Sequence, residues 1–249
     1  MMLGRLQSVE RQFSGRLNAL GPLDLEIREG EFLSLLGPSG CGKSTALKII
    51  AGLLAPTRGE VSWQRSKPSV GFVFQDPTLM PWATVRDNVR LPLDLAHVPR
   101  AEGDPRVTAT LARVGLTGSF LDSYPRALSG GMRMRVSIAR ALVARPALLL
   151  MDEPFAALDE ISRDALNEDL LRLWREDNLT VVFVTHSVFE STFLSTRIVA
   201  LTPRPGRITG AFTVPAPALR SSTWRMSAGF ADAAREVSRL LRQGMEAAA

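Results

Sequence analysis

Short apolar runs recur along the chain, too brief and too rich in β-branched residues to be helices. Phe32-Leu33-Ser34-Leu35-Leu36, Val70–Phe74, Ala147–Met151, Val181–Thr185 and Arg197–Leu201 each read as a core strand. Between them lie stretches with apolar positions at helical spacing: from about Lys43 to Ile50, Gly130–Ala144, Glu160–Arg175 and Ser187–Leu194. Strands alternating with helices predict an α/β fold whose parallel sheet is covered on both faces. Residues 77–145 break the alternation, being helix-rich without a convincing strand. They are expected to form a helical subdomain inserted into a discontinuous core of residues 1–76 and 146–215. Beyond Pro215, the residues Pro217 and Ser221-Ser222 suggest a linker and Ala231–Arg242 a short terminal helix, so residues 216–249 read as a tail.

Composition narrows the class. The 45% hydrophobic and 22% charged residues are ordinary for a soluble globular domain. The first residues carry no long apolar stretch, and no run approaches the roughly 18 apolar residues of a membrane span, so the chain is expected in the cytoplasm. One cysteine, Cys41, leaves no internal disulfide framework. The net charge of +5 is spread out rather than gathered in a block, which argues against a nucleic-acid partner. Only Lys43, Lys48 and Lys67 are lysines among 30 basic residues, so each retained lysine is worth a reason.

Lys43 has one. Gly37-Pro38-Ser39-Gly40-Cys41-Gly42-Lys43-Ser44-Thr45 fits G-x-x-x-x-G-K-[ST], between a strand and a helix as that motif requires. Glycines let the backbone curl so that N–H groups point inward at phosphate oxygens, and the helix N-terminus adds partial positive charge there. Lys43 supplies a compact point charge to the β- and γ-phosphates that a planar guanidinium would not reproduce, and Ser44 offers a hydroxyl to Mg²⁺. Cys41, beside the helix N-terminus, is expected to have a lowered thiol pKa and to be readily alkylated. Downstream, the strand Ala147–Met151 ends in Asp152-Glu153. Carboxylates at the carboxyl edge of a parallel sheet lie where such folds bind ligands. Asp152 is suited to hold Mg²⁺, and Glu153 to polarise an attacking water.

Leu128-Ser129-Gly130-Gly131-Met132, opening a helix upstream of Asp152-Glu153, resembles the signature of ABC ATPases. The resemblance runs from about Leu6 to Ile208. It implies a RecA-like P-loop NTPase fold with a small antiparallel β part and an inserted helical subdomain. It further implies ATP and Mg²⁺ as ligands. Gln75 is then similar to the Q-loop glutamine, which contacts Mg²⁺ and the water near the γ-phosphate. His186 resembles the switch histidine, and Ala157-Leu158-Asp159 the D-loop that contacts the opposite subunit. Phe13 is placed to stack on adenine. Ser129, Gly130 and Gly131 would meet the ATP held by a second copy, so that two chains sandwich two nucleotides head to tail.

Within the family, Leu79-Met80-Pro81-Trp82, Ser129-Gly130-Gly131-Met132-Arg133 and Thr202-Pro203-Arg204-Pro205-Gly206-Arg207-Ile208 resemble importer ATPases of the nitrate, sulfonate and taurine group, which also includes pyrimidine-precursor importers. The chain departs from the family pattern at Met134, where glutamine is common, and at Ser187 and Thr196, where aspartate is usual. The resemblance implies an ATP-hydrolysing importer subunit on the cytoplasmic face of the inner membrane. It would work with separate integral-membrane permease subunits and, indirectly, an extracytoplasmic solute-binding protein. The alternative is a non-transport ABC ATPase acting on nucleic acid or another macromolecule. It is disfavoured because the interval from Lys43 to Ser129 leaves no room for a long coiled coil and the chain carries a single set of motifs.

Overall fold

A computed structural model describes residues 1–13, 17–217 and 220–246. In chain order the elements are strands β1 (Met2–Phe13), β2 (Leu17–Arg28) and β3 (Phe32–Leu36), helix α1 (Lys43–Ala51), and strands β4 (Arg58–Trp63) and β5 (Val70–Val73). Helices α2 (Val85–Leu95), α3 (Arg100–Arg113) and α4 (Gly130–Leu142) follow, then β6 (Leu148–Asp152), α5 (Glu160–Asp177) and β7 (Thr180–Thr185). The chain ends with α6 (Val188–Leu194), β8 (Arg197–Leu201), β9 (Ile208–Thr213), α7 (Ser222–Arg225) and α8 (Ala228–Glu246). Two compact units result, one from residues 1–68 with 174–249 and one from residues 69–173.

In the first unit, β3 lies between β7 and β8, parallel to both, and β9 closes on β8 antiparallel. Every residue of β3 and β7 is buried, which is why they read as unbroken apolar runs rather than alternating ones. Phe32 packs edge-on against Trp174 with ring centroids 5.9 Å apart, and Trp174 donates its indole N–H to the carbonyl of Gly30 at 3.1 Å. The antiparallel part is a separate sheet in the order β2-β1-β4. The tail is more helical than expected. Helix α8 extends the anticipated Ala231–Arg242 at both ends and buries Phe230, Ala233, Ala234 and Val237. Val237 joins Leu36, Ile198 and Val214 in one apolar cluster.

The second unit holds β5 parallel to β6, with α2, α3 and α4 packed on one another. Arg90 of α2 is among its most deeply buried side chains. It is satisfied by ion pairs to Asp94 at 2.8 Å and to Asp104, and by the carbonyl of Val98 at 3.0 Å. A buried guanidinium without such partners would cost several kcal/mol, roughly, so these groups fix how α2 and α3 pack. The strands and helices placed from sequence lie within a few residues of β3, β5, β6, β7, β8, α1, α4, α5 and α6, whereas β1, β2, β4 and β9 were not individually anticipated.

Candidate nucleotide site

Strand β3 delivers the chain into the curl Gly37–Gly42, and α1 starts at Lys43. Gly40 has φ +78° and Gly42 φ +104°, left-handed values that side chains disfavour. A Cβ on Gly42 would also lie 2.4 Å from the carbonyl oxygen of Ala19. Lys43 is 3% exposed, and its ammonium donates to the carbonyls of Gly37 at 2.8 Å and Pro38 at 2.9 Å. A cation thus sits within the loop, at the N-terminus of a helix that has no side-chain cap. Backbone N–H groups and a cation at a helix N-terminus are chemistry that suits an oxyanion.

Cys41 corrects an expectation. Its side chain is fully buried, and a Cβ on Gly37 would sit 2.8 Å from its sulfur. Proximity to a helix N-terminus does not decide which way a side chain points, and this one points into the protein. Alkylation of the native protein is therefore expected to be slow and to become fast in denaturant, measured by mass spectrometry of iodoacetamide adducts.

Leu36 of β3 pairs with Thr185 of β7 and with Ala200 of β8, so the cradle, His186 and the turn after β8 leave the same edge of one parallel sheet. His186 is exposed and held from both sides. Thr185 Oγ1 donates to Glu190 at 2.5 Å and accepts from the Ser187 N–H at 3.0 Å. Ser187 in turn caps α6 by accepting from the Glu190 N–H at 3.2 Å. Serine at this position therefore does the capping an aspartate could do. Thr196 exchanges hydrogen bonds with both the N–H and the carbonyl of Phe32, at 3.1 Å each, and the neighbouring Arg197 pairs with Glu31 at 2.8 Å. The departures at 187 and 196 are thus locally compensated. Phe13 is the last residue of β1, partly exposed, with the Arg11 guanidinium 4.8 Å from its ring centre.

In the other unit, Val73 of β5 pairs with Met151 of β6, so Gln75 emerges from the same strand ends as Asp152-Glu153. Asp152 is buried at the end of β6. Glu153 adopts φ +44°, strained for a residue with a side chain, and such strain gathers at functional sites. Ser129 caps α4 by accepting from the Met132 N–H at 3.2 Å. Gly130 and Gly131 face the segment around Asp159: a Cβ would make ordinary contact with Leu158 at 3.5 Å and with Ser162 of α5 at 3.7 Å, respectively. The signature and Asp159 therefore lie side by side. Asp159 accepts from the Ser162 N–H at 2.9 Å, and that bond holds its carboxyl below the usual carboxylate range. Its capping contribution is complete above the ordinary carboxylate pKa and is lost only as pH falls through the lower folded value. Met134 is a buried residue of α4.

The description "ABC transporter" belongs to a family model that matches residues 20–156, more than half of the chain. This chain belongs to the ABC transporter family. The ABC ATPase is 50% identical over 203 residues to an uncharacterized ABC transporter ATP-binding protein of Methanocaldococcus jannaschii, covering 79% of this chain and 76% of that one. It is 47% identical over 199 residues to the aliphatic sulfonates import ATP-binding protein SsuB 1 of Pseudomonas syringae pv. syringae, covering 80% of each. It is 46% identical over 224 residues to the bicarbonate transport ATP-binding protein CmpC of Synechococcus elongatus, covering 85% of this chain but 34% of that longer protein. Two solved structures of one dimeric ABC transporter cassette cover 86% of this chain and all of theirs. One has TM-score 0.77 at 34% identity; the other, a post-hydrolysis state bound to ADP and Pi, has 0.74 at 33%. The fold is that of a P-loop NTPase, and the chain is an ATP-hydrolysing ABC subunit. Among the described residues no helix is long and apolar enough to cross a membrane.

Proposed function

We propose that this ATPase drives solute import through a separate permease, at the cytoplasmic face of the membrane, for a nitrate-, sulfonate- or taurine-like solute. The observation that carries this reading is the likeness to the sulfonate-import subunit over four-fifths of both chains. A solute-binding protein would select the cargo outside, and two copies of the ATPase would close head to tail on two ATP molecules. Residues 1–76 with 146–215 serve as the nucleotide-binding core and residues 77–145 as the signature-bearing helical part. The test is to purify the complex with its permease and binding protein and to measure ATPase activity with sulfonates, taurine, nitrate, bicarbonate and pyrimidine precursors. Stimulation by one anion class supports the reading; a complex that forms without a permease overturns it.

In this reading residues 37–45 hold the triphosphate, with Lys43 on its β- and γ-phosphates. Phe13 stacks on the adenine. Ser44, Gln75 and Asp152 hold Mg²⁺, which would neutralise charge on the phosphate oxygens. No cluster of three or more His, Cys, Asp or Glu occurs among the described residues, and none is needed, because Mg²⁺ at such sites is shared between a few protein oxygens and the phosphates. Glu153 is the base for the attacking water, and Gln75 and His186 attend the γ-phosphate. Ser129, Gly130, Gly131 and Asp159 serve the nucleotide of the opposite copy.

The permease would dock beside Gln75. Trp82 is 76% exposed, so it is no part of the subunit's core. The loop that carries it is nonetheless fixed. Buried Asn88 accepts from the Met80 N–H at 2.7 Å and donates to the carbonyls of Met80, Ala83 and Thr84. Arg140 donates to the carbonyls of Pro77 and Thr78. A rigidly held, solvent-facing tryptophan is the kind of anchor that carries interface energy. Trp82→Ala is expected to leave melting temperature and ATP binding of the isolated subunit unchanged while co-purification with the permease is lost.

A further inference from the structure

The turn between β8 and β9 reaches the phosphate cradle. Arg204 Nε donates to the carbonyl of Gly40 at 3.0 Å. Two residues on, the backbone lies against the next carbonyl of the cradle: a Cβ on Gly206 would stand 2.1 Å from the Cys41 oxygen. The turn is itself braced. Thr202 N–H donates to the Arg207 carbonyl at 2.9 Å, and Thr202 Oγ1 accepts from the Arg207 N–H at 3.0 Å. Gly206 N–H donates to Ala19 at 3.2 Å, and Gly21 N–H to Gly206 at 3.1 Å.

In a trans peptide the carbonyl and the following N–H point to opposite sides. Drawing the Gly40 oxygen toward Arg204 therefore turns the Cys41 N–H the other way. It points at the Pro38 oxygen, 3.3 Å off, which is the same oxygen that receives the Lys43 ammonium. That hydrogen bond and the Arg204 contact hold the two sides of one peptide. Gly40 and Gly42, on either side of Cys41, both have φ > 0, and glycine crosses between backbone regions at little cost. Arg204 adds a hold on this peptide plane from outside the loop.

We propose that Arg204 is a positioning residue of the cradle, tethering the Gly40 carbonyl so that the glycine-rich curl keeps the shape in which it receives the phosphate chain of ATP. This rests on residues 37–45 being the triphosphate site. The test is calorimetric titration of the full chain with Mg-ATP, alongside its melting temperature without nucleotide. Arg204→Ala is expected to weaken Mg-ATP by about tenfold, the scale of one charge-assisted hydrogen bond, with an unchanged melting temperature. Arg204→Gln is expected to recover most of that loss, because the glutamine amide nitrogen occupies the same place along the side chain as Nε. Wild-type affinity in Arg204→Ala overturns the proposal. So does Arg204→Gln being as weak as Arg204→Ala, since charge and not the held peptide would then matter. A lowered melting temperature that accounts for the loss also overturns it, marking a residue that only supports the fold. Lys43→Ala run in parallel keeps the premise separate: if it binds ATP normally, the cradle assignment fails rather than the role of Arg204 within it.

Discussion

Glu153→Gln is expected to retain ATP and to slow its hydrolysis by roughly 10²–10⁴-fold, the scale for losing a general base. The substitution is nearly isosteric and leaves Asp152, at the end of β6, in place. The left-handed backbone at 153 is no worse for glutamine than for glutamate, so stability should not change. Because the γ-phosphate persists, the variant should run as a dimer on gel filtration in Mg-ATP and as a monomer in ADP. Normal turnover by the variant would remove Glu153 from the role of base and leave Gln75 and His186 as the remaining candidates.

Gly42→Ala should have an effect of a different kind. The Cβ meets the Ala19 carbonyl at 2.4 Å and the residue is held at φ +104°, so both space and backbone oppose it. The two costs together are on the order of 2–4 kcal/mol. The expected outcome is a clearly lower melting temperature together with loss of Mg-ATP binding. Lys43→Ala, by contrast, should lose ATP while remaining folded, since it leaves the backbone of the loop alone. A Gly42→Ala variant with wild-type stability would show that the loop can relax away from β2.

The contrast between strands explains what the sequence made legible. Strands β3, β6 and β7 are buried on both faces, so each is an apolar run that stands out from its neighbours. Strand β1 did not stand out, although a small antiparallel part was expected. Its pairing with β2 shifts register at Leu6/Val9 and again at Val9/Arg11, which breaks the alternation that marks a half-buried strand. Strand β9 is partly exposed throughout and follows a proline-rich turn, which hid it as well. At the candidate site, spacing exposed the cradle because its chemistry is written in residue types. The direction of the Cys41 thiol and the strained backbone at Glu153 are conformational facts, and Arg204 reaches a carbonyl far away in sequence. None of the three has a local signature.

Asn88 gives the loop before α2 a mechanical character. One amide spans the turn from Met80 to Thr84 and belongs to α2 itself, so loop and helix form a single stiff lever with Trp82 at its tip. A displacement of the indole would then have a direct hydrogen-bonded route to the helix. Shortening this side chain would remove the direct ties between turn and helix while Arg140 still holds Pro77 and Thr78, so displacement at the indole would lose that route to α2.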